Sequence, residues 1–152
     1  LAIPGVAELV GEVPFSPDLW VLPCASGGTL AGLIAGKREQ ERILAIAVLK
    51  GASFIADEVR RLHPAAATTP GWQIALDHHD GGYAKFSPGL WQWVQAFSAQ
   101  TGLPLEPIYS GKAMWGLFRE LAAGRIPRGS QIVFIHTGGM QGLAGLKEQG
   151  RI

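Results

Sequence analysis

With 152 residues, 47% of them apolar and 16% charged, the chain has enough apolar side chains for one well-packed domain and too few charges for a disordered one. Its net charge of +1 excludes the basic surface that nucleic acid or an anionic membrane selects, and no apolar run approaches the roughly 18 to 20 residues of a membrane span. Cys24 is the single cysteine, so no internal disulfide forms; a small buried thiol in a reducing, cytoplasmic compartment is the expectation.

The chain opens without methionine in Leu1-Ala2-Ile3-Pro4-Gly5-Val6, which reads as the body of an element already under way, so a piece of a longer chain is expected. Residues 5 to 12 carry apolar positions 6, 9 and 10 on one face, a short helix that Pro14 closes. A strand at Leu19–Leu22 is expected to break at Pro23. A small-residue turn then leads into a helix from Gly28 to Lys37. The unbroken apolar run from Ile43 to Leu49 is the signature of a parallel strand covered on both faces.

A helix starting at Ala52 or Ser53, with Phe54, Ile55, Val59 and Leu62 at helical spacing, ends at His63-Pro64. A Thr/Pro connection leads to a third strand, Trp72–Leu76, and then to a polar loop from Asp77 to Phe86. A helix from Leu90 to Ala99 buries Trp91, Val94 and Phe97 and ends near Gly102. The next helix, capped by Ser110, carries the stripe Met114, Trp115, Leu117, Phe118 and Leu121 and stops at Gly124. Gln131–Ile135 is the last strand, and His136–Gly139 turns into a short final helix. No internal repeat is present. Strands alternating with helices predict a doubly wound α/β fold with a mostly parallel sheet.

The turn Ser26-Gly27-Gly28-Thr29 offers unobstructed backbone N–H groups, two hydroxyls and a helix N-terminus, a combination suited to phosphate. A nucleoside-triphosphate loop would need Gly-Lys followed by Ser or Thr, and here Gly28 meets Thr29. A dinucleotide site would need other glycine spacing and an acid at the end of the next strand, where Lys50 stands. A single monophosphate remains, beside the plainer alternative of a close-packed helix cap. Asp77, His78, His79 and Asp80 raise a metal site, but adjacent histidines rarely face one ion and no spaced partner accompanies them; no metal is expected. In an open α/β sheet, ligands lie at the carboxyl ends of the strands. That rule gathers Ser26–Thr29, Asp80–Tyr83 and His136–Gly139, with Tyr109 at a helix start where the dipole favours a phenolate.

The blocks Cys24-Ala25-Ser26-Gly27-Gly28-Thr29-Leu30-Ala31-Gly32, Gly82-Tyr83, Ile108-Tyr109-Ser110-Gly111-Lys112-Ala113-Met114 and Phe134-Ile135-His136-Thr137-Gly138-Gly139 together resemble the C-terminal part of the D-cysteine desulfhydrase and 1-aminocyclopropane-1-carboxylate deaminase family. The resemblance implies a three-layer αβα, tryptophan-synthase-β-like fold over residues 1–152, the cofactor-binding portion of a longer enzyme. It implies pyridoxal 5'-phosphate as cofactor, a small amino acid as substrate and a homodimer at full length. By it, Ser26, Gly27, Gly28 and Thr29 would hold the phosphate. Thr137 and Gly138 would meet the cofactor ring, Tyr109 would transfer a proton, and Tyr83 and Ser110 would contact the substrate.

In this family the lysine that binds the cofactor covalently lies in the N-terminal half, and none of the lysines here stands in its context, Lys112 included. The 152 residues alone are therefore expected to be inactive. Family deaminases typically carry Glu after the motif tyrosine and Leu before the paired glycines, where this chain has Ser110 and Thr137. That difference favours D-cysteine desulfhydrase-type β-elimination over cyclopropane opening, with a non-catalytic phosphate-binding module as the further alternative.

Overall fold

A computed structural model describes residues 2–152. Four parallel strands lie in the order β3-β2-β1-β4: β1 is Leu19–Cys24, β2 Arg42–Ala47, β3 Trp72–Ala75 and β4 Ile132–Phe134. The register runs Leu19 opposite Arg42 and Cys24 opposite Ala47, with Leu19 opposite Ile132 on the other side. The period-2 alternation of β1 sorts its side chains into two cores. Trp20, Leu22 and Cys24 join Ile43 and Ala45 beneath the helices α1 (Ala2–Glu12), α2 (Gly28–Gly36) and α3 (Ile55–Leu62). Leu19, Val21, Leu44 and Ile46 face the helices α4 (Pro88–Thr101) and α5 (Ser110–Ala122). Helices on both faces of a parallel sheet make the three layers expected from the apolar runs.

Several boundaries differ from the sequence reading, each for a local reason. The first helix begins at Ala2, three residues before the expected start, with Pro4 in its first turn, where a missing N–H breaks no intrahelical bond. The strand expected to break at Pro23 runs through it to Cys24. Val21 presents its carbonyl to Ile135 on the β4 side and Cys24 presents its carbonyl to Val48 on the β2 side. Alternation therefore turns the nitrogen of Pro23 toward the β4 side, past the end of the β1–β4 pairing. The run from Ile43 leaves the sheet at Ala47, and the segment after Pro64 forms a 3₁₀ turn, Pro64–Ala67.

The close approach of α1 to α2 depends on two glycines of α2. A Cβ on Gly32 would stand 2.5 Å from the Cβ of Val6, and one on Gly36 2.7 Å from the Cα of Ala7. Gly32 and Gly36 are one turn apart on the same face, so the stripe they form seats α1 directly on the α2 backbone. This fixes α2 over β1, and with it the turn that precedes α2.

Candidate active site

Gly27 ends the β1–α2 turn in the left-handed region, at φ 84°, and serves as the N-cap of α2. The first bond of the helix runs from the N–H of Ala31 to the carbonyl of Gly27, so the N–H groups of Gly28, Thr29 and Leu30 have no intrahelical acceptor. The two glycines do different work. A Cβ on Gly27 would press on Val59 and Ile55 of α3, so that glycine serves packing and backbone conformation. A Cβ on Gly28 would meet nothing within 4 Å, and the residue borders open space. Among the described residues, neither Ser26 nor Thr29 has its hydroxyl engaged elsewhere. Pro23 to Leu30, Tyr109 and Thr137 line a cleft of about 160 Å³. Donors, hydroxyls and a space that a side chain at Gly28 would fill suit a phosphate-sized anion.

Tyr109 stands at the mouth of this cleft as the N-cap residue of α5. A second cavity of about 320 Å³ lies on its other side, lined by Tyr83, Glu106, Ile108, Gly142, Gly145 and Arg151 among others. Taken alone, the dipole of α5 favours a phenolate here. The structure corrects that: burial, then the neighbouring Tyr83 phenol, then the Glu106 carboxylate raise the Tyr109 pKa above its ordinary value. Tyr109 therefore holds its proton at neutral pH.

Ser110 was expected to cap α5 and to reach substrate. Instead it is fully buried, and its hydroxyl donates to the Glu106 carboxylate at 2.9 Å. The cap is Glu106. Its carboxylate accepts from the N–H groups of Ile108 (2.7 Å), Tyr109 (3.0 Å) and Ser110 (2.6 Å), satisfying orphan donors with a negative charge at the positive end of the helix. The same side chain lies against the position a Cβ on Gly139 would take, at 3.4 Å. One residue that the motif reading did not single out thus ties the start of α5 to the loop after β4. Its signal in the sequence is an acid a few residues before a helix start, ahead of Pro107.

That loop is held by His136. Its Nε2 donates to the carbonyl of Pro104 at 2.8 Å, which leaves Nδ1 to accept the N–H of Gly138 at 3.1 Å. Gly138 turns at φ 88°, and Thr137 stays exposed with its side chain at the cleft. His78 and His79 point apart. His79 accepts the N–H of Gly81, whereas His78 is buried with Nε2 on Glu120 at 2.7 Å, an acid that Arg125 also holds at 2.7 Å. The structure thus brings Ser26, Gly28, Thr29, Tyr109 and Thr137 to one cleft and Tyr83 to its neighbour; Ser110 lies inside. A larger cavity of about 350 Å³ opens at the opposite, amino ends of the strands, beside Asp18, Arg42 and Arg128, and none of the motif residues lines it.

Comparison with known proteins places the chain in a family and a fold. Residues 5–138 match the family described as "Pyridoxal-phosphate dependent enzyme". A putative 1-aminocyclopropane-1-carboxylate deaminase of Pyrococcus furiosus is 32% identical over 146 residues, 90% of this chain and 44% of that protein. The bifunctional D-cysteine desulfhydrase/1-aminocyclopropane-1-carboxylate deaminase of Arabidopsis thaliana, named as mitochondrial, is 32% identical over 93% of this chain and 38% of its own length. The crystal structure of an ACC deaminase homologue superposes with a TM-score of 0.79 at 29% identity, covering 99% of this chain and 50% of that one. The chain thus spans about half the length of the relatives it matches. Among the described residues, no helix is long and apolar enough to cross a membrane.

Proposed function

Because the chain belongs to the pyridoxal-phosphate-dependent enzyme family, we propose that it is the C-terminal, cofactor-binding part of a lyase that eliminates the β-substituent of a small amino acid, D-cysteine before 1-aminocyclopropane-1-carboxylate. The observation that carries this reading is the cleft itself, in which the open face of Gly28, two free hydroxyls, Tyr109 and Thr137 meet. When bound, pyridoxal phosphate supplies an electron sink for the substrate's Cα. Ser26, Thr29 and the N–H groups of Gly28 and Leu30 would hold its phosphate, with Gly27 shaping the turn. Thr137 and Gly138 would stand against its ring.

Thr137 brings a neutral hydroxyl, which supplies no charge to keep a proton on a ring nitrogen. Such surroundings suit a substrate whose β-substituent departs readily, as a thiol does, better than the opening of a carbon ring. Tyr109 Oη holds its proton at neutral pH and so is equipped to act as the acid, delivering that proton to the departing sulfur. Tyr83, two-thirds exposed beside it, would contact the substrate. The balance is D-cysteine plus water to sulfide, pyruvate and ammonia.

The test uses the whole protein containing these residues, loaded with cofactor and given D-cysteine, L-cysteine or 1-aminocyclopropane-1-carboxylate, with sulfide, pyruvate and 2-oxobutyrate measured. Sulfide and pyruvate from D-cysteine are expected, with a loss of about 100-fold or more in Tyr109→Phe. Faster release of 2-oxobutyrate would reverse the substrate order. Normal cofactor retention without turnover of any of the three would favour a phosphate-binding module.

A further inference from the structure

We propose that Lys112 is a positioning residue for Tyr83: its buried ammonium holds the carbonyl of Gly82 and so fixes the left-handed turn that sets the Tyr83 phenol beside Tyr109. Lys112, in the first turn of α5, is 0% exposed, and its Nζ donates to the Gly82 carbonyl at 2.7 Å across 30 residues of sequence. Enclosing an ammonium on one carbonyl is costly, and an apolar side chain of similar length would fill the space without that cost. What the ammonium holds therefore matters. The segment it reaches is the least relaxed backbone of the described residues. Asp80 (φ 46°), Gly81 (94°), Gly82 (109°) and Ala84 (54°) all lie in the left-handed region, two of them with side chains that disfavour it.

Arg151 donates to the Ala84 carbonyl, and the local bonds of the loop run from Gly81 N–H to His79 Nδ1, from Ser87 N–H to the Asp80 carboxylate, from Gly82 N–H to the His79 carbonyl and from Lys85 N–H to the Gly82 carbonyl. Lys112 adds a bond to the same carbonyl from a helix that also carries Tyr109 at its start. Lys50 closes the other side, 3.2 Å from where a Cβ of Gly82 would sit. Tyr83 follows Gly82 directly, so the clamp acts one residue from the phenol. The charged groups facing the ammonium are Asp80, from the clamped loop, and Glu106, from the cap of α5; both favour the charged form, while burial outweighs them and lowers the Lys112 pKa to about 8. The kinetic part of the inference rests on the functional reading above; the structural part does not.

The experiment uses the whole protein containing these residues, in which the Tyr83 and Tyr109 signals are assigned by Tyr83→Phe and Tyr109→Phe. With ring-labelled tyrosine, the titration of Tyr109 is followed by NMR in the wild type, Lys112→Met, Lys112→Gln, Tyr83→Phe and the Lys112→Met/Tyr83→Phe double variant. Freed from Tyr83, the Tyr109 phenol is expected to titrate about half a pH unit or more lower in Lys112→Met. The same drop is expected in Tyr83→Phe, with no further drop in the double variant and recovery in Lys112→Gln, which keeps an N–H donor. Amide exchange at residues 82 to 85 should quicken about tenfold in Lys112→Met with residues 43 to 47 unchanged. An unmoved Tyr109 titration in a folded Lys112→Met chain, or drops that add in the double variant, would overturn the proposal.

Should Lys112→Met not fold, the wild type still decides: an ammonium held on the Gly82 carbonyl should exchange its protons with water slowly enough at about pH 6 to give an NMR signal with cross-peaks to residues 82 and 83, and an ammonium that shows neither overturns the clamp. In the loaded whole enzyme, Lys112→Met should raise KM for D-cysteine more than it lowers kcat. The titration needs neither cofactor nor substrate, so a protein inactive toward D-cysteine that shows the shared drop supports the clamp and counts against the activity alone.

Discussion

Glu106 concentrates more consequence than any motif residue, because three backbone N–H groups and one hydroxyl converge on a single buried carboxylate. Glu106→Ala leaves those donors inside the protein without an acceptor. Its expected cost is about 2 to 4 kcal/mol, with Glu106→Gln milder because an amide oxygen still accepts; urea unfolding of both variants measures the difference. Cys24 is the opposite case. It is 3% exposed and its thiol is pushed up to about 11, mainly by burial. At pH 8 the thiolate is about one molecule in a thousand, so an alkylating reagent should label Cys24 only after unfolding, at a rate set by opening of the β1–α2 turn.

At the scale of elements, the contact between α1 and α2 leaves no room for added volume. Gly32→Ala and Gly36→Ala should each destabilise by about 1 to 3 kcal/mol, although alanine is the better helix former, because the new methyl has to displace Val6 or the backbone at Ala7. Gly11→Ala, in the same helix pair but facing open space, should instead stabilise by about 0.5 to 1 kcal/mol. Equal signs for Gly32 and Gly11 in a thermal or urea melt would mean that α1 is not seated on the glycine stripe.

The elements most legible in the sequence were those whose partners are implied by their own pattern. The apolar run of β2 announces cover on both faces, and the glycine turn before α2 announces a helix N-terminus facing the strand ends. Less legible was anything decided by a neighbour distant in sequence. Whether Pro23 ends β1 depends on where β4 stops, and whether Ser110 faces substrate or core depends on Glu106 folding back over it. The phenolate expected at Tyr109 failed for the same reason. The dipole of α5 is a local property, whereas the Tyr83 phenol and the burial that outweigh it come from the assembled loops.

Across the whole molecule, the sheet separates two cores, and the ionisable groups buried at its carboxyl end make stability depend on pH with opposing signs. The pKa of Lys112 is lowered in the folded state, so between about 8 and the ordinary 10.5 the unfolded chain binds a proton that the native one does not. Stability then rises with pH through that window. Cys24 and Tyr109 are raised, so their contributions fall as pH climbs above their ordinary 9.0 and 10.0. From pH 8 to 9 the lysine outweighs the thiol, whose opposing contribution cancels in a comparison with Lys112→Met. The unfolding free energy of the wild type relative to Lys112→Met should rise over that interval, and a constant difference would show that the ammonium is not held at a lowered pKa.

The cavity beyond Tyr109 has one wall with room to grow. Gly142 and Gly145 are helical, their Cβ positions are empty, and neither carries a positive φ, so side chains can be added there one methyl at a time without backbone strain. Each addition would also favour the helix. The volume of that cavity can therefore be narrowed by mutation while the turn before α2, on a different helix, stays as it is. Two residues of one short helix thus set the size of this cavity, and both can change without touching the turn before α2.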